Sequence, residues 1–129
     1  MAQPTLFPES GFRRLRIDIA YDGTNFFGWG AQPDRRTIQD LVEEAISRIS
    51  RTDTNSIVAG RTDAGVHATG QVIHVDLPDA MFAGDLNYID FRYKLNRILD
   101  EDVRIMNITD APEGFHARFS ALRRYYVYK

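Results

Sequence analysis

The chain has 129 residues, 43% of them hydrophobic, and a formal net charge of −2, which fits a single small globular domain with one modest core. It has no cysteine, so a disulfide scaffold and a cysteine nucleophile are both excluded. No apolar run reaches membrane-spanning length, and the first residues lack the charged-then-apolar pattern of a secretion signal, so a cytoplasmic protein with no membrane association is expected.

In chain order, Met1 to Phe12 carries two prolines, a glycine and no periodicity, and reads as a flexible tail. Leu15, Ile17, Ile19 and Tyr21 alternate with Arg16, Asp18 and Ala20, the pattern of a half-buried strand. Asp22-Gly23 ends it, and Gly28, Gly30 and Pro33 keep the next stretch irregular. Thr37 starts a helix, with Asp40 three residues on in the manner of a capping box. Ile38, Leu41, Val42, Ala45, Ile46 and Ile49 share one face of that helix. Ser56 to Gly60 reads as a short strand, and Gln71 to Leu77 as a strand rich in β-branched residues. Tyr88, Phe91, Arg92, Leu95, Ile98 and Leu99 form a second helical stripe, and Val103 to Ile108 another strand. Ala121 to Lys129 reads as one more strand. It stops without a turn residue, as a chain that continues into a longer protein would.

The order strand-helix-strand-strand-helix-strand predicts an α+β fold: a ferredoxin-like, RRM-like βαββαβ unit with an antiparallel sheet, both helices on one face and the other face free. That open face is also how a common RNA-binding fold takes up single-stranded bases. The expected organisation is a tail over 1–12 and one domain over 13–129, with an exposed sheet edge that needs a partner. Arginines gather at Arg13, Arg14 and Arg16, at Arg35 and Arg36, and at Arg118, Arg123 and Arg124. Acids gather at Asp76, Asp79 and Asp85, and at Asp100, Glu101 and Asp102. Location matters more than the sum, and such clusters read either as a nucleic-acid footprint or as solvated faces.

Between the second and third strands lies Gly60-Arg61-Thr62-Asp63-Ala64-Gly65-Val66-His67, followed by Thr69-Gly70-Gln71-Val72. This places one carboxylate, Asp63, in a glycine-bounded loop beside Arg61. Asp-Ala-Gly is also ordinary turn chemistry, and on spacing alone both readings stand. Gly60 to Gly65 has the first spacing of a phosphate-binding P-loop, but Val66-His67 stands where Lys-Ser/Thr is required. A glycosidase would need a second carboxylate across the sugar; Asp76 is the nearest, and nothing singles it out. The three histidines, His67, His74 and His116, have no local metal-ligand spacing, so no metal is expected. Trp29 and Phe27 read either as RNA-stacking residues or as a buried corner.

The loop motif resembles the active-site loop of tRNA pseudouridine synthases of the TruA type. Tyr21-Asp22-Gly23-Thr24 with Phe27-Gly28-Trp29 resembles that family's first strand and turn. Phe115-His116-Ala117-Arg118-Phe119-Ser120-Ala121 resembles the segment before a late strand, and Arg124, Tyr126 and Tyr128 the pattern that follows. Where the family often has glutamine after Gly-Trp, this chain has Gly30. The resemblance implies an intramolecular isomerase that converts uridine to pseudouridine in the anticodon stem-loop of tRNA, at nucleotide positions 38–40. Asp63 matches the catalytic aspartate, acting as nucleophile at the anomeric carbon or as base toward a ribose proton. Arg61, Arg124, His67 and Tyr126 are the implied substrate-binding residues. Tyr126 would stack on the uracil or help remove the C5 proton; it also reads as a plain strand residue. No group is lost and no redox change occurs, so no cofactor is needed. The resemblance further implies a homodimer, and a carboxy-terminal half that this chain lacks, without which it is expected to be inactive. A non-catalytic RNA-binding module and a structural domain are the rival readings.

Overall fold

A computed structural model describes residues 6–30, 37–60, 62 and 64–118. Four strands, β1 (Phe12–Tyr21), β2 (Ser56–Val58), β3 (Ala68–Pro78) and β4 (Val103–Asp110), form one sheet in the order β2-β3-β1-β4. Every neighbouring pair is antiparallel. Two helices, α1 (Ile38–Ser50) and α2 (Tyr88–Ile98), complete the ferredoxin-like βαββαβ unit. The expected strand Ala121–Lys129 lies outside the described residues apart from its resemblance in sequence.

The alternation in β1 works as written. Leu15, Ile17, Ile19 and Tyr21 are buried in one cluster with Val42 and Ile46 of α1 and Phe91 and Leu95 of α2. β1 begins at Phe12, which pairs with Pro78, so this residue belongs to the sheet and not to the segment before it. α1 starts after Thr37, which is wholly buried and whose hydroxyl donates to the Asp40 carboxylate at 2.9 Å. It ends on Arg51 in the left-handed region (φ 60°). α2 is capped by Asn87, whose side chain accepts from the Asp90 amide at 2.8 Å. Two short 3-10 turns, Gly23–Asn25 and Asp79–Phe82, leave no periodic trace in the sequence.

Two irregularities bend the sheet near one end. Against β4, Asp18 pairs with Asn107 and Ile19 with Ile105, leaving Met106 as the extra residue. Against β3, Ile19 pairs with Gln71 and Tyr21 with Ala68, so Thr69 and Gly70 face the single residue Ala20. Such bulges increase local twist and re-aim side chains.

The helix-free face is not wholly free. The segment after β4 is tied to β1 by the Ala111 amide, which donates to the Arg14 carbonyl at 2.9 Å. It then covers His74: the Ala117 amide donates to His74 Nδ1 at 3.0 Å, and the His74 and His116 rings stack edge-on at 4.8 Å. Arg14, opposite Asp76 in the register, is buried there. It forms a bidentate pair with Asp76 (2.8 and 3.0 Å) and donates to the Phe115 carbonyl. Arg13 pairs with Asp79, donates to Tyr88 and lies over the Phe82 ring. Arg16 pairs with Asp18. The basic run on β1 and the acids on and after β3 are thus largely one set of ion pairs, not separate patches.

Two measurements follow from this face. Asp76→Ala leaves the Arg14 guanidinium, its side chain 5% exposed, without its carboxylate, and should cost about 2–3 kcal/mol in urea unfolding. Asp18→Ala, at a half-exposed pair, should stay within about 0.5 kcal/mol. Equal effects would refute the burial argument. Second, burial, helped by Arg14 and His116, lowers the His74 pKa from 6.5 to about 4. Burial and Arg14 also lower that of His116. Between those two values the unfolded chain binds a proton that folded His74 does not, so stability rises with pH across this window and is complete above 6.5. It falls by roughly 3 kcal/mol as pH drops to about 4. His74→Asn keeps an acceptor for Ala117 and should flatten that part of the stability curve.

Candidate active site

The loop from Ala59 to His67 joins β2 to β3 and packs on the turn that follows β1. Each contact is local and polar. The Ala59 amide donates to the Val72 carbonyl at 2.9 Å, extending the β2–β3 ladder by one bond. The Gly60 carbonyl accepts from Gln71 Nε2 at 2.6 Å. Thr62 is held twice: its carbonyl accepts from the Trp29 amide at 3.1 Å, and its hydroxyl lies 2.7 Å from that of Tyr21. The Gly65 amide donates to the Phe26 carbonyl at 3.2 Å, and Gly65 has φ +78°, a conformation that glycine adopts without steric cost.

The closest approach is at Gly23. A Cβ there would stand 1.9 Å from the Val66 carbonyl oxygen and 2.5 Å from its carbon. Only hydrogen fits, so Gly23 is required by the neighbouring loop. Its amide donates to His67 Nδ1 at 2.9 Å. Accepting there, the neutral imidazole carries its proton on Nε2. Asp22 Oδ1 lies 3.1 Å from the same Nδ1, so protonated His67 would face Asp22 and lose the Gly23 bond. Asp22 sits below the usual carboxylate range because the Thr24 hydroxyl and amide both donate to it.

The same turn begins α1. The Ile38 amide donates to the Gly28 carbonyl and the Gln39 amide to the Trp29 carbonyl, which satisfies amides that a helix start leaves open. Trp29 is buried, its ring 6.1 Å from that of Tyr21, so it is the buried corner; Phe27 remains exposed. Beside His67, an open groove of about 440 Å³ is lined by Tyr21, Asp22, Thr69, Arg104 and Met106 among others.

This pairing brings the loop motif against the Tyr21–Trp29 segment. A family model described as tRNA pseudouridine synthase matches residues 18–120. The chain belongs to that family. It is 53% identical over 120 residues to tRNA pseudouridine synthase A of Frankia casuarinae, covering 92% of this chain and 42% of that protein. Identity to the Mycobacterium leprae protein of the same name is 49% over 125 residues, 90% of this chain and 43% of the relative. For Bifidobacterium animalis subsp. lactis it is 51% over 126 residues, 90% and 42%. The chain therefore spans about two fifths of the length of the curated relatives it matches.

Of the residues singled out in the sequence, Asp63, Arg61, Arg124 and Tyr126 lie outside the described residues. His67 lies beside the groove, its side chain 61% exposed. It does not join the other two histidines: His74 packs against His116, which belongs to the segment after β4. Among the described residues no group of three or more His, Asp or Glu is placed to hold a metal ion, and no helix is long and apolar enough to cross a membrane. Asp76, the second carboxylate weighed from sequence, is engaged by Arg14. Sequence reasoning read Tyr21 and Gln71 as strand residues and Asp22-Gly23 as a strand end, and gave none of the four a role in supporting the loop. The available signal was two polar residues, Tyr21 and Gln71, falling on the core-facing side of their strands.

Gly23→Ala should destabilise the fold by about 2–3 kcal/mol, since the loop backbone has to move to admit the methyl group. Gly70→Ala, with nothing within 4 Å of its Cβ, should change stability by about 0.5 kcal/mol or less. Thermal melts of the two variants check this; equal melting temperatures would remove the close-approach argument.

Proposed function

We propose that this chain is the part of a tRNA pseudouridine synthase that carries the catalytic carboxylate, Asp63. The observation that carries the reading is the anchoring of the motif loop: Thr62, Gly65 and His67, around position 63, are each bonded to the turn after β1 or to its last residue. A carboxylate needed at a fixed place against a ribose requires such a rigid support, whereas a plain turn does not.

The reaction breaks the C1′–N1 bond of a uridine, turns the uracil, and joins its C5 to C1′. The C5 proton is lost and N1 gains one, so atoms balance without a cofactor. Asp63 acts either as the nucleophile at C1′ or as the base that removes a ribose proton. Arg61, two residues away, keeps the carboxylate ionised and meets the displaced strand. Tyr126 stacks on the uracil, Arg124 holds a phosphate, and His67 offers Nε2–H to the substrate at the groove edge. The target base leaves its stack before reaction, since a paired base hides its glycosidic bond.

The proposed substrate is the anticodon stem-loop of tRNA, bound by a homodimer in the cytoplasm. Arg13 and Arg14 are engaged with Asp79 and Asp76, so positive charge for the phosphates comes from other arginines. Residues 1–129, about two fifths of the relatives' length, are proposed to need the remainder of a full-length synthase for turnover.

Tritium release from tRNA labelled at uridine C5 is the test. The full-length protein should release tritium, Asp63→Asn should reduce the rate by about 10⁴-fold or more, and residues 1–129 alone should release none. Substantial turnover by Asp63→Asn would overturn the assignment of the carboxylate. Silence from the folded full-length protein, with tRNA still bound, would favour an RNA-binding module.

A further inference from the structure

Tyr21 and Gln71 are polar residues at positions that face the core. Tyr21 ends β1 and is 4% exposed; Gln71 lies in β3 and is 8% exposed. The bulge at Thr69–Gly70 shifts the register between them, so that the Gln71 amide reaches the Tyr21 hydroxyl at 3.4 Å. Each side chain also bonds the motif loop. Gln71 Nε2 donates to the Gly60 carbonyl at 2.6 Å, and the Tyr21 hydroxyl meets the Thr62 hydroxyl at 2.7 Å. Gly60 and Thr62 are the two chain neighbours of Arg61, and Thr62 also adjoins Asp63.

A phenol hydroxyl and a carboxamide are costly to bury unless bonded. Phenylalanine and leucine would fill the same space but would leave the Gly60 carbonyl and the Thr62 hydroxyl without these partners. The polar atoms therefore add something other than core packing: they hold the Gly60 carbonyl and the Thr62 side chain, the chain neighbours of Arg61.

We propose that Tyr21 and Gln71 are positioning residues of the synthase, a buried polar pair that holds the Arg61-Thr62-Asp63 segment in its reactive placement. This rests on the reading of Asp63 as the catalytic carboxylate. Tyr21 acts through Thr62 and touches no substrate in this role. Its hydroxyl sets where the carboxylate stands, so its loss affects turnover and leaves tRNA binding intact.

The test is steady-state tritium release by the full-length enzyme, with melting temperatures measured on the same samples. Tyr21→Phe and Thr62→Val should each lower kcat roughly 10- to 100-fold, with KM for tRNA within about twofold of wild type. Thr62→Ser, which keeps the hydroxyl, should retain most of the rate. The double variant Tyr21→Phe/Thr62→Val should be no slower than the worse single one, because both remove one hydrogen bond. If Tyr21→Phe folds poorly, the Thr62→Ser and Thr62→Val pair decides alone. Unchanged kcat in Tyr21→Phe and Thr62→Val, multiplicative losses in the double variant, or losses that track the folded fraction would each overturn the positioning role. Asp63→Asn measured alongside separates the two readings. If it abolishes turnover while Tyr21→Phe and Thr62→Val do not reduce it, only the positioning role falls. If Asp63→Asn itself turns over, the catalytic reading falls and this one with it.

Discussion

The contact on which the candidate site depends is the van der Waals approach of Gly23 to the Val66 carbonyl. It brings the turn after β1 and the motif loop to backbone contact, with no side chain between them. At that separation the bonds from Trp29 to Thr62, from Gly65 to Phe26 and from Gly23 to His67 all fall within reach. One methyl group at position 23 would separate the two backbones and weaken these bonds together. A glycine in the turn after the first strand is in this way part of a site whose motif loop lies about 40 positions later along the chain.

Much of the fold was legible because it follows from periodicity. The alternation in β1, the helical faces of α1 and α2 and the β-branched run in β3 each reflect one buried side. Thr37 and Asp40 marked the start of α1. The 3-10 turns, the bulges at Met106 and at Thr69–Gly70, and the cap at Asn87 were not read, because each is decided by a neighbour distant in sequence or by one backbone bond. The family resemblance found the loop but not what holds it. That Tyr21 and Gln71 bond to it depends on a register shift of β1 against β3, which no local pattern records. Trp29 illustrates the same limit: its composition suits either stacking or packing, and burial against Tyr21 decided for packing.

Charge was the least legible feature. Arg13, Arg14 and Arg16 look in sequence like a basic patch, and Asp76 and Asp79 like an acidic one. The antiparallel register sets Arg14 directly across from Asp76 and brings Arg13 to Asp79. A formal charge pattern thus became a structural network. It closes part of the sheet face under the Phe115–Ala117 segment, where neutral His74 accepts from the Ala117 amide.

The sharing of Gly28 and Trp29 has a dynamic consequence. Their carbonyls accept the first amides of α1, while the Trp29 amide holds Thr62. The helix start, the turn and the motif loop therefore belong to one cooperative unit. Loops that connect strands ordinarily open on their own, with their amides exchanging far faster than those of the core. Here the amides of Trp29, Gln39 and Gly65 are each bonded to or from one turn, and a common slow exchange rate is the expected outcome. Order at the site is thereby linked to the stability of the helix behind it.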